Sequence, residues 1–157
     1  MKIKRLADRL VEKFGTRDPF RIAEELGYTI IYTPLVGVRG FYQYLKRCHF
    51  IYLDSKLDEI AARFVCAHEL GHSFLHKGLN RIFMDTRTFT VAGRYETEAN
   101  RFAVDLIYSD EDLQPYLSRG SACAADYMGV SPDLAAYRMG AVIPEYLGSV
   151  HIMDDVI

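Results

Sequence analysis

Five consecutive residues, His68-Glu69-Leu70-Gly71-His72, constrain this chain more than any others. They sit inside a helical pattern of apolar residues: Leu57, Ile60, Ala61, Phe64 and Val65 before them, Phe74 and Leu75 after. Residues four apart on a helix lie one turn apart on one face. The two imidazoles can therefore reach a single metal ion at about 2.0–2.1 Å. Glu69 lies about 100° round from His68, beside such an ion rather than on it. It can take a proton there from water, whose pKa a zinc ion lowers to about 7. With five His among 157 residues, an H-E-x-x-H run arises by chance on the order of 0.01 times per shuffled chain. The fold must accommodate this helix and bring a further ligand to it, because a catalytic zinc takes three protein ligands and one open position.

The candidates for that third ligand are His76, Glu96, Glu98, Asp105 and His151. His76 stands eight residues from His68, roughly 12 Å along a helix axis, so it cannot join the same ion. It reads as a helix C-terminal residue favoured by the dipole. Glu96 is preferred. It falls near the start of the next helical segment, in Tyr95-Glu96-Thr97-Glu98-Ala99-Asn100, and shares a face with Asn100. Glu96 can supply an oxygen while Asn100 accepts an N–H from a ligating His, the kind of bond that sets the tautomer of metal-bound imidazole. Glu98 points elsewhere.

These residues carry a family resemblance. His68–His72, followed by Glu96-x-x-Ala99-Asn100-x-Phe102-Ala103, resembles the ImmA/IrrE family of zinc metallopeptidases. Ile51-Tyr52-Leu53-Asp54, Arg63-Phe64-Val65 and Gly129-Val130-Ser131 with Arg138 are similar to that family too, so the likeness runs from about residue 18 to 140. The pattern is also similar to the wider gluzincin plan, in which an E-x-x-x-D/N helix provides the third ligand and its supporting partner. Where the family usually continues with a Leu-Leu-Met-Pro-like stretch, this chain reads Leu106-Ile107-Tyr108-Ser109-Asp110. The resemblance implies one catalytic Zn2+ held by His68, His72 and Glu96, with Asn100 in support and Glu69 catalytic. It implies as substrate a helix-turn-helix repressor of a phage, a mobile element or a stress response, cut at a limited site. The residue set also suits manganese or iron.

The rest of the chain frames that centre. Ile3, Leu6, Ala7, Leu10, Val11 and Phe14 predict a first helix ended by Gly15, and Asp18-Pro19 opens a second through about Leu26. Runs at 28–33, 40–45 and 48–53 predict three strands. Lys46-Arg47 between the last two is a weak hairpin turn by residue type. The long helix is expected to start after Asp54-Ser55 and to end at Gly78. Residues 80–91 read as a loop, with a possible short strand; 93–107 as a helix; 110–117, 121–128 and 131–139 as short helices; and the tail from Ile143 has no clear pattern. The expected architecture is α+β and zincin-like. A small sheet of about three strands packs on the H-E-x-x-H helix and further helices. Residues 1–157 form one metallopeptidase domain with 110–157 as its helical extension.

Composition narrows the alternatives. A formal net charge of −2 gives no reason to expect DNA or an anionic membrane as partner. No apolar run approaches the roughly 18 residues of a membrane span, and the first fourteen residues lack the form of a signal peptide. Cys48, Cys66 and Cys123 lack C-x-x-C spacing. They read as reduced, mostly buried thiols of a cytoplasmic protein, which argues against a cysteine zinc site. Cys66 faces away from the metal, and His49 is structural. An oxyanion stabiliser could come from Arg94, Tyr95, Tyr127 or His151. Two rival functions stand beside the peptidase: a non-catalytic repressor-binding module on a zincin scaffold, and a DNA-binding regulator acting through residues 121–140. The second is disfavoured because its would-be recognition helix carries Arg138 as its one basic residue.

Overall fold

The computed structural model describes residues 2–77 and 89–142, with side chains from Gly93 onward in the second stretch. The first helix, α1 (Lys2–Phe14), buries Ala7 and Leu10, and Gly15 closes it in the left-handed region at φ 65°, where glycine carries no Cβ penalty. In α2 (Pro19–Glu25) the Asp18 side chain accepts from the Phe20 N–H at 3.0 Å, and Pro19 occupies the first turn where no N–H is needed.

Three strands follow: β1 (Thr29–Thr33), β2 (Gly40–Leu45) and β3 (Cys48–Asp54). Their spatial order is β1-β3-β2, with β1 parallel and β2 antiparallel to β3. Lys46 and Arg47 join β2 to β3 at φ 50° and 65°. Positive φ at both positions is what a two-residue turn of the type I′ kind requires, so pairing of the strands overrides the weak turn propensity of these side chains. Ile51 and Leu53 point from β3 into the core and are fully buried.

The central helix is α3 (Glu59–Leu75). It starts four residues later than Asp54-Ser55 suggests. Asp54 ends β3 and its carboxylate accepts from the Leu35 and Lys56 N–H groups at 3.4 and 3.2 Å. Asp58 caps the helix instead, accepting from the Ala61 N–H at 2.8 Å. The expected stop at Gly78 lies outside the described residues, and His76 is already the C-cap. Residues 65–73 of α3 are buried, because the helix lies between the sheet, α2 and α4. That fourth helix, α4 (Phe89–Ile107), begins four residues before Gly93. Residues 89–91 are thus helical rather than loop; 80–88 lie outside the described residues, as does the tail from 143.

The segment read as one helix at 110–117 is divided. The four-residue α5 (Asp110–Leu113) carries a capping box between Ser109 and Asp112, and a 3-10 turn (Gln114–Tyr116) follows. Pro115 cannot donate the N–H that an α-helix would use there. Helices α6 (Ser121–Met128) and α7 (Pro132–Met139) are joined through Gly129 at φ 66°. Arg138 ties them back to α4. It is fully buried and donates to the Tyr108 carbonyl at 2.8 and 3.2 Å and to Asp110 at 2.6 Å. The basic residue that a DNA-reading α7 would need is therefore inside the protein. The fold is α+β, with one core cluster running through Leu10, Ile22, Ile51, Leu70, Phe102, Leu106 and Met128. No described helix is long and apolar enough to cross a membrane.

Candidate metal centre

Among the described elements, helices α3 and α4 form the most extensive contact, and a glycine sets how closely they approach. A Cβ built on Gly71 would lie 3.0 Å from Phe102 Cδ1 and 3.3 Å from the Cα of Ala99, inside the roughly 3.5–4.0 Å of an ordinary carbon contact. The missing side chain lets α4 lie almost directly on α3, and that closeness delivers Glu96 and Asn100 to the histidines.

Three donor side chains converge there. His68 Nε2 and His72 Nε2 are 3.0 Å apart. Glu96 offers one carboxylate oxygen to each, Oε2 at 3.2 Å from His68 and Oε1 at 3.3 Å from His72. Ligands held at 2.0–2.1 Å on a tetrahedral ion stand about 3.3 Å from one another, so the residues present fit one small divalent cation. Among the described residues no other group of His, Cys, Asp and Glu side chains is placed to share an ion. His68 Nδ1 meets Asn100 Oδ1 at 2.8 Å. With Nε2 given to a metal, Nδ1 carries the proton and donates it to that amide oxygen.

Glu69 follows His68 on α3. It is 1% exposed and lines a cleft of about 510 Å³ together with His68, Glu96 and Asn100. The facing wall is the segment 35–40, where Gly37, Val38 and Arg39 lead into Gly40 at the start of β2. Gly40 itself admits no side chain, since a Cβ would lie 2.5 Å from Val65 Cγ1 and 2.7 Å from the Tyr52 carbonyl oxygen. The wall can thus press against α3 beside the cleft. His68, Glu96 and Glu69 thus face one cleft together.

One part of the site escaped the sequence reading. His76 stands at the C-terminal end of α3 as expected, but its side chain is buried and engages other side chains. Its Nδ1 is 3.0 Å from His72 Nδ1, and its Nε2 is 3.1 Å from Glu98 Oε2. Burial pushes the His76 imidazole below its ordinary pKa, opposed by its hydrogen bond to the Glu98 carboxylate. The Arg94 hydrogen bond, at 2.9 Å, is the main reason Glu98 lies below the usual carboxylate range. The i,i+4 spacing of His72 and His76 was the available signal, the same spacing that links His68 to His72.

Arg94 is spent on Glu98, and the Tyr95 ring packs on His76 at 4.4 Å between centroids. Tyr127 packs on Tyr108 and Tyr116, and His151 lies outside the described residues. None of the three described candidates lines the cleft, whereas Arg39 does. Asp105 is fully buried and accepts from the Tyr137 hydroxyl at 2.9 Å. His49 stacks on Tyr28 within the sheet. The thiols are not mostly buried as expected: Cys66 is buried, but Cys48 and Cys123 are exposed. Strand ends and the first turn of a short helix leave them at the surface. Burial raises the Cys66 pKa, with smaller contributions from the Asp18 and Glu69 charges.

The chain is similar to known proteins over most of its length. Residues 23–139 match the Peptidase M78 family model, described as the IrrE N-terminal-like domain. The chain is 39% identical over 115 residues to the "uncharacterized immunity region protein 2" of Bacillus phage phi105, covering 73% of each chain. It is 28% identical over 146 residues to the protein named metallopeptidase ImmA of Bacillus subtilis (strain 168), covering 89% of this chain and 85% of that one. With the match spanning the sheet, both site helices and the C-terminal pair, the chain belongs to the ImmA/IrrE family of metallopeptidases.

Proposed function

We propose that this chain is a zinc-dependent endopeptidase of the cytoplasm that makes a limited cut in a helix-turn-helix repressor. The observation that carries the reading is the near-tetrahedral spacing of His68, His72 and Glu96 beside a buried Glu69 that opens into a cleft. Those three residues would hold the zinc, with Asn100 supporting His68. Zinc bound there supplies Lewis acidity, polarising the scissile carbonyl and acidifying water. Glu69 accepts the proton of the attacking water on its carboxylate and passes it to the leaving amine. Its burial keeps that carboxylate away from bulk water, in a site of lower dielectric in which a developing charge interacts more strongly. The cleft wall at 35–40 orients the polypeptide and excludes solvent.

A repressor as substrate is favoured by the relative named for a phage immunity region. Direct action on DNA through residues 121–140 is disfavoured by the burial of Arg138. Profiling of new protein N-termini in cells expressing the chain tests both chemistry and target, with Glu69→Gln as the control. Wild type should produce one dominant new terminus in a helix-turn-helix protein. Glu69→Gln should lose it by about 10²–10⁴-fold while still binding zinc and the same repressor. Termini scattered over many proteins would overturn the limited cut. Equal relief of repression by Glu69→Gln would move the reading to a non-catalytic repressor-binding module.

A further inference from the structure

The two histidines of the donor triangle are braced differently. His68 leans on a neutral amide, Asn100. His72 leans on a second imidazole, which in turn leans on a carboxylate held by an arginine. Proton counting decides how this second arrangement works, on the proposed reading that His72 gives Nε2 to the metal. Its proton must then sit on Nδ1. The facing Nδ1 of His76, 3.0 Å away, can only be an acceptor, so the His76 proton must sit on Nε2. That nitrogen faces Glu98 Oε2 at 3.1 Å, and Glu98 Oε1 accepts from Arg94 Nε at 2.9 Å. Every member then meets a partner of the right polarity, and no other assignment of neutral rings satisfies all three bonds with His72 Nε2 left bare.

We infer that His76 and Glu98 are positioning residues for the metal centre, holding His72 in the tautomer and ring orientation that present Nε2 to the ion. The carboxylate end of the chain draws the protons toward Glu98, which makes His72 a stronger donor than an unsupported imidazole. The same chain links the C-terminal end of α3 to α4, so it also fixes the helix pair whose spacing sets the triangle. Tyr95 packs on the second ring, which is itself buried.

The test uses the full chain with zinc. His76→Phe keeps a ring against Tyr95 but offers no acceptor. Glu98→Gln keeps an acceptor oxygen, and Glu98→Leu removes it. Zinc affinity is read by competition with a chromophoric chelator, and melting of the metal-free proteins reports folding. His76→Phe and Glu98→Leu should weaken zinc about 10–100-fold, and Glu98→Gln should recover most of that loss. In 15N spectra of zinc-loaded wild type, His72 should carry its proton on Nδ1 and His76 on Nε2. A folded His76→Phe with wild-type zinc affinity overturns the inference, as does a His76 proton on Nδ1 in the loaded protein. If His76→Phe does not fold, the wild-type tautomers decide alone. Wild type that takes up no zinc would instead sink the metal-centre reading, and this inference with it.

Discussion

Replacing Gly71 with alanine probes how a single absent methyl group shapes the metal centre. The added Cβ would stand 3.0 Å from Phe102 Cδ1 and 3.3 Å from both Phe102 Cβ and Ala99 Cα. An ordinary carbon contact needs about 3.5–4.0 Å, so α4 must withdraw by a few tenths of an ångström. The Phe102 ring cannot absorb this alone, because it is fully buried and the Ala99 contact is to backbone. Alanine gains about 1 kcal/mol of helix propensity over glycine, while overpacking costs about 1–3 kcal/mol. The metal-free protein should therefore lose no more than about 2 kcal/mol. The site suffers more. Ala99 lies between Glu96 and Asn100 in α4, so the displaced segment carries both, and ligand distances tolerate only about 0.2 Å. Zinc affinity should fall at least about 10-fold, which removes about 1.4 kcal/mol of zinc-induced stabilisation at a fixed metal concentration. Chelator competition and urea unfolding with and without zinc measure the two effects separately. A Gly71→Ala protein at least as stable as wild type, with unchanged zinc affinity, would refute the claim that this helix approach sets the donor triangle.

Three further outcomes are expected. Arg138→Ala should cost about 3–5 kcal/mol in urea unfolding, because it strips a buried cation from Tyr108 and Asp110 and removes the guanidinium 3.8 Å from the buried Asp105 carboxylate; a loss under about 1 kcal/mol would remove this network from the account of the C-terminal helices. Disulfide-exchange reagent should react promptly with two thiols of the native protein, Cys48 and Cys123, and with Cys66 only after unfolding; three prompt thiols would contradict the burial of Cys66. The Tyr42 hydroxyl is pushed up from an ordinary 10.0 to about 12, first by burial and then by the neighbouring Tyr28 and Tyr44. A folded-state pKa raised in this way gives a stability contribution that is complete below pH 10 and is lost as pH climbs toward 12. Tyr42→Phe should flatten that part of the stability curve, and an unchanged slope would assign the loss to other groups.

What could be read directly from the chain was whatever repeats within one element. Two histidines four apart, and Glu96 four before Asn100, share a helix face wherever that helix sits, because the period is built into the backbone. The three strands and the small α+β plan followed from short runs of β-branched and aromatic residues between turn residues. Local signals also misplaced some edges, since they compete: Asp54 and Asp58 both resemble a cap, and only the demands of β3 decide between them. Tertiary structure alone brought the two faces together, with Glu96 oxygens 3.2 and 3.3 Å from the histidine nitrogens, through the glycine at position 71. It also turned His76 from a helix-end residue into the partner of His72 and Glu98, and it buried Arg138. Those outcomes depend on the distance and rotation between α3 and its neighbours. Steric contact across the core sets both, and no periodicity within a single helix encodes them.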